Sequence, residues 1–168
     1  MKWIGAILVI IGCGGVGFYM AFQYRRELQM LKQLEKALEY MTSELRYRQT
    51  PLPQLVRAAA DRSCGALRHC LEELSGELES QIAPDAISCM KAVLAKAKDI
   101  PSRVFNCMEQ LGSTLGLFDL EGQLAGFASV QRECGRGIEE MEAGKQQRIR
   151  SYQTLGLCAG AALAILFV

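Results

Sequence analysis

Apolar residues fall into three patterns along the chain: an uncharged opening, a central stretch in which they recur every three or four positions, and an uncharged close. In the centre, Leu31, Leu34, Leu38, Met41 and Leu45 follow one another at three or four residues, while Lys32, Lys36 and Glu39 lie off that line. Side chains three and four apart share one face of an α-helix, so this spacing predicts an amphipathic helix of roughly six turns. "TPLP" stops it: Thr50 is placed to cap a new helix, Pro51 suits a first helical position, and Leu55, Val56 and Ala59 continue. Leu67, Leu71, Leu74 and Leu78 make the next stripe, opposed by Glu72, Glu73 and Glu79. Pro84 opens a segment with Ile87, Met90, Leu94 and Ala97 on one side, and Pro101 precedes Phe105, Met108, Leu111 and Leu115. Asp119 is placed to cap a last, long helix whose stripe is Leu120, Leu124, Phe127, Cys134, Ile138 and Met141, with Gln131 as its polar member.

The two ends have no such alternation. Trp3 to Phe22 and Ser151 to Val168 carry no formal charge. Eighteen helical residues rise roughly 27 Å, close to the ~30 Å hydrocarbon layer of a bilayer. A chain of 168 residues has too little remaining surface to wrap two wholly apolar helices, so both are expected to span a membrane. The first run is too long for a cleaved secretory signal, and no Ala-x-Ala site follows it. "IIGC", Ile10 to Cys13, resembles a lipobox, but "GGVGFYMAF" continues the apolar run where a lipoprotein would begin a polar tether. Arg25, Arg26 and Lys32 follow the first segment and Lys145, Arg148 and Arg150 precede the second, against Lys2 alone beyond them. Basic residues stay on the cytoplasmic side, which places the middle of the chain in the cytoplasm and both tips outside.

The expected fold class is therefore all-α: a cytoplasmic bundle of about six helices, residues 23–150, whose two long terminal helices continue into transmembrane segments 3–22 and 151–168. Gly135, Gly137 and Gly144 weaken an unbroken last helix. Within the apolar segments Gly156, Gly160 and Ala164 fall four apart, as do Cys13, Gly17 and Ala21. Small residues on one face let spanning helices approach closely, so Gly17, Ala21, Gly156, Gly160 and Ala164 are the expected pairing positions, within the chain or between copies of it.

Composition removes several chemistries. The seven cysteines include no C-x-x-C pair, and an odd number cannot all pair within one chain, which suits reduced thiols in the cytosol. His69 lies between Cys64 and Cys70 in sequence without the four-ligand spacing of a zinc site. Glu72 with Glu73, and Glu139, Glu140 with Glu142, fall on polar helix faces and read as solvated or partner-facing rather than as acid–base pairs. A formal net charge of +1 gives no basis for nucleic-acid binding. "LGSTLGLFDLEGQ" lacks the preceding strand and following Lys-Ser or Lys-Thr of a phosphate loop. It reads as a helix end, a turn and a cap, with Gly112 and Gly116 allowing close approach and Asp119 holding backbone N–H groups. No cofactor or metal is expected.

The apolar start with its Arg pair, "ELRYRQTPL" (Glu44 to Leu52), "LGSTLGLFDLEGQ" (Leu111 to Gln123) and the ending "LGLCAGAALAILFV" together resemble the stage III sporulation protein AB family, over nearly the whole chain and in order. The most specific pieces are Tyr47 with Thr50, Pro51 and Leu52, and the set Leu111, Gly112, Leu115, Gly116, Asp119 and Gln123. The chain departs from that pattern in its cysteine richness and in Gly122 and Gly126. The resemblance implies a non-enzymatic component of the channel between mother cell and forespore, in the mother cell membrane. It further implies similarity to the inner-membrane platform protein of type II secretion and type IV pilus systems. The implied partners are a cytoplasmic secretion-type ATPase and other channel proteins. The other class of function open to a two-span chain is a membrane sensor with an extracytoplasmic helical domain, which the charge placement opposes.

Overall fold

The structure, a computed structural model, describes the backbone of residues 2–80, 85–97, 99–116 and 119–167, and the side chains of 19–80, 85–97, 99–116 and 119–144. Six helices and no strand occur among the described residues: α1 (Lys2–Arg48), α2 (Leu52–Asp61), α3 (Gly65–Ser80), α4 (Ala86–Lys96), α5 (Ser102–Thr114) and α6 (Leu120–Phe167). The chain divides into two units, Gln29–Ile138 and the paired stretches Met1–Leu28 and Glu139–Val168.

In Gln29–Ile138 the leucine stripe of α1 is the main apolar wall, with Leu31, Leu34, Leu38 and Met41 all at 1% exposure or less. Leu55, Val56, Ala59 and Ala60 of α2 and Leu67, Leu71 and Leu74 of α3 are buried as well, and these two helices pack together. The Ser75 hydroxyl, fully buried, donates to the Pro53 carbonyl at 3.1 Å, so the polar group at that contact has a partner. The Arg62 guanidinium sits 3.9 Å over the Tyr40 ring and ties the end of α2 to α1.

Helices α4 and α5 pack against each other. The α4 stripe is Ala86, Cys89, Met90, Val93 and Leu94, with Ile87 and Ala97 only half-buried, so its inward face is rotated from the expected line. Across the interface a Cβ on Gly112 would stand 2.6 Å from Met90 Cβ, so the glycine leaves the room that Met90 occupies. On α5 the buried set is Val104, Cys107, Met108, Leu111 and Gly112, and Phe105 is half-buried. Phe127, Val130, Cys134 and Ile138 of α6 close the core, with Leu120 and Leu124 half-buried near its start. Gly126 meets Thr114 as Gly112 meets Met90, with Thr114 Cβ 2.6 Å from a notional Cβ, and Gly137 lies in ordinary contact with Leu31. These glycines serve helix–helix approach, and α6 runs through them unbroken.

In the terminal unit, the Tyr24 hydroxyl donates to the Met141 carbonyl, linking α1 to α6. Tyr19, Met20 and Phe22 are 50–63% exposed and are followed by exposed Arg25. No helix among the described residues is long and apolar enough to cross a membrane. Residues 3–18 and 151–168, which make up nearly all of the two uncharged segments, lie outside those whose side chains are described.

Candidate interaction surface

The thiols are arranged for packing. Cys64 is exposed, whereas Cys70, Cys89, Cys107 and Cys134 are buried free cysteines. Burial, with Glu73 nearby, pushes the Cys70 thiol up to about 12, and its Sγ lies 3.9 Å from Met108 Sδ. Burial also raises Cys89. Cys107 and Cys134 meet across α5 and α6, and their mutual hydrogen bond, followed by burial, holds the Cys134 thiol far above its ordinary range. The same hydrogen bond moves Cys107 the other way, below its ordinary value, so the raised, protonated thiols are Cys70, Cys89 and Cys134, which are poor nucleophiles and poor ligands. His69 points away from them, 3.6 Å from Glu72 on the outer face of α3, and no cluster able to hold a metal occurs among the described residues.

The two sequence motifs lie at the junctions between helices. At the end of α1, Gln49 adopts φ 50° and its N–H donates to the Leu45 carbonyl at 3.3 Å, a left-handed stop normally given to glycine. Thr50 turns back to place its hydroxyl 3.4 Å from Glu44 Oε2 rather than on α2, and Glu44 also pairs with Arg48 at 3.6 Å. Pro51 is the flanking residue of α2, without a side-chain cap bond, and Pro53 occupies the first turn, where no N–H donor is needed. In the second motif Leu115 ends α5, Gly116 at φ 76° reverses the chain, and Asp119 Oδ1 accepts the Gly122 N–H at 3.0 Å to start α6. Helix α4 is capped by Asp85, whose Oδ1 accepts the Ser88 N–H at 2.9 Å; residue 84, expected to open this helix, lies outside the described residues.

Of the five small residues expected to pair in the membrane, Ala21 is half-buried in α1. The side chains of Gly17, Gly156, Gly160 and Ala164 lie outside the described residues.

The periodic pattern did not single out a groove along roughly the last three turns of α1. Glu39, Thr42, Ser43, Arg46 and Tyr47 line one side and Gln131 of α6 the other, enclosing about 270 Å³. Tyr47 is 80% exposed, the most exposed of the large hydrophobic side chains there. Its signal was present: Tyr47 stands two places past Leu45, off the leucine stripe and between two arginines, so burial was never open to it. Pairing of Gln131 with that end of α1 is a long-range contact and had no local signal.

Comparison with known proteins gives a consistent result. The family described as Stage III sporulation protein AB matches residues 2–168. A Bacillus subtilis (strain 168) protein named Stage III sporulation protein AB is 22% identical over 171 residues, covering all of this chain and 99% of that one. A solved structure of Stage III sporulation protein AB superposes with a TM-score of 0.65 at 19% identity, over 73% of this chain and 98% of the other, which establishes the shared helical fold.

Proposed function

Because the chain belongs to the stage III sporulation protein AB family, and is thereby a sporulation protein, we propose that it acts as a non-enzymatic membrane scaffold of the mother cell–forespore channel. In this role the helical bundle docks a cytoplasmic secretion-type ATPase and neighbouring channel proteins. The observation that carries the reading is the match across essentially the full length, which takes in both uncharged segments together with the bundle between them. The relative's name states a stage of sporulation and no reaction.

Two physical features support the membrane part. Exposed Tyr19, Met20 and Phe22 leading into Arg25 and Arg26 form the aromatic-then-basic order that suits a headgroup interface. Basic residues also stand on the bundle side of the second segment, at Lys145, Arg148 and Arg150, where each is worth about 1 kcal/mol against anionic lipid. The charge pattern supports a cytoplasmic bundle between spans at 3–22 and 151–168.

Detergent extraction of the full chain from sporulating cells should recover a secretion-type ATPase with it, and recovery of the chain without any such ATPase would overturn docking. Exposed Cys64 reports the side of the membrane. A membrane-impermeant maleimide should reach it only after lysis; labelling of the Cys64 peptide in intact cells would instead support the extracytoplasmic sensor.

A further inference from the structure

Four contacts set α5 and α6 antiparallel in one register. Thr114 lies against Gly126, the Gln110 amide donates to the Ser129 hydroxyl at 3.3 Å, Cys107 meets Cys134, and the Arg103 Nη1 stands 3.9 Å from where a Cβ of Gly137 would be. Each step back along α5 is matched by a step forward along α6, so the packing of the two helices as a whole opposes Cys107 to Cys134. Both are free thiols, at 2% and 0% exposure. A disulfide needs Cα atoms about 4.4–6.8 Å apart, nearer than the ~8–10 Å at which helix axes usually pack. Gly126 gives the close approach: a Cβ there would lie 2.6 Å from Thr114 Cβ, roughly two turns of α6 from the thiol pair. The other described thiols are set differently, since Cys70 Sγ faces the Met108 thioether, Cys89 belongs to α4 and Cys64 is exposed.

We infer that Cys107 and Cys134 form a redox modification site, which a peroxide closes into a disulfide fastening α5 to α6 and which small thiols reopen. Hydrogen peroxide is little larger than water and enters during brief local opening of the bundle. The Cys107 thiol, held below its ordinary value by the hydrogen bond from Cys134, loses its proton first and attacks one peroxide oxygen. The O–O bond breaks, the departing hydroxide takes up that proton as water, and Cys107 becomes a sulfenic acid. Cys134 then attacks the Cys107 sulfur, the S–O bond breaks, a second water leaves with the Cys134 proton, and the S–S bond forms. Two thiols lose two electrons and one peroxide gains them. The new bond closes a loop from Cys107 to Cys134 around the turn at Gly116, and it depends on the bundle alone rather than on the scaffold reading.

The test uses the full-length chain in detergent. N-ethylmaleimide first blocks exposed Cys64 in the folded state, and hydrogen peroxide follows. Trypsin cuts after Arg103, Arg132 and Arg136, so mass spectrometry should find peptide 104–132 joined to 133–136, two hydrogens lighter than the separate pair and parted by dithiothreitol. The oxidised chain should unfold at a urea concentration about 1 M higher than the reduced one. Cys134→Ala and Cys107→Ala should each abolish the joined peptide and the urea shift, whereas Cys64→Ser leaves both in place. Should an alanine variant fail to fold, the joined peptide and the urea shift of the parent chain decide by themselves. Recovery of both cysteines as maleimide-reactive thiols after peroxide and denaturation would overturn the site. So would sulfinic acid on Cys107 without a link, a link from either cysteine to a different one, or a linked chain with an unchanged urea midpoint.

Discussion

At the scale of single residues, two glycines and a cap do work that no larger side chain could do. Gly112 and Gly126 are sites of contact rather than of turning, for a Cβ at either would lie 2.6 Å from a neighbouring Cβ that is itself fixed to backbone. Gly112→Ala and Gly126→Ala should each destabilise the purified chain by about 1–3 kcal/mol, the range for overpacking, read as a lower urea midpoint. Asp85 carries a pH dependence. Its bond from Ser88 holds the carboxyl below its ordinary 3.8. A carboxyl depressed in the folded state stabilises it fully above the ordinary value and loses that contribution as pH falls through the lower folded value. Asp85→Asn keeps a capping oxygen without the titration, so its melting temperature should fall less than the parent's across that acid window; equal slopes would show that the cap is not felt. Glu72, depressed by its hydrogen bond from Arg68, acts with the same sign. Gly112 was legible as a place of close approach because its motif contains no other reason for a paired glycine. Gly126 stood in the sequence as an oddity only, since the residue it makes room for, Thr114, is twelve positions away and on another helix.

At the scale of elements, the apolar stripes carried most of the information. All five stripe residues of α1 are buried, and so are Phe127, Cys134, Ile138 and Met141 of α6. Where a stripe was misplaced, as on α4, Ala86, Cys89 and Val93 joined Met90 and Leu94 inside while Ile87 and Ala97 stayed half-buried. Helix boundaries followed turn chemistry less closely, because Thr50 bonds back to Glu44 and leaves Pro51 to open α2. Phe127 is among the largest fully buried side chains of the core. Phe127→Ala, at 0% exposure, should cost about 3–5 kcal/mol. Leu78→Ala, on the half-buried end of the α3 stripe, should cost distinctly less. Urea unfolding of both variants distinguishes them, and equal losses would mean that α3 is held more deeply than its exposure indicates.

At the scale of the whole molecule, the chain is a helical bundle flanked by two uncharged segments, and the proposed role depends on lipid solvating those segments. Gly160→Leu should weaken crosslinking between spanning helices and reduce spore formation while leaving the unfolding midpoint of the bundle in place. Unchanged crosslinking and sporulation would remove Gly160 from any pairing face. The amino-acid order alone determined the all-helical class, the number of helices, the core face of α1 and α6 and the two uncharged segments, because each of these depends on residues within a few turns of one another. Only the folded chain decided the rotation of α4, the service of Gly126 to Thr114, the enclosure of four thiols and the placing of Gln131 beside the end of α1. Those depend on which helices become neighbours, and packing between distant segments leaves no periodic trace along the chain.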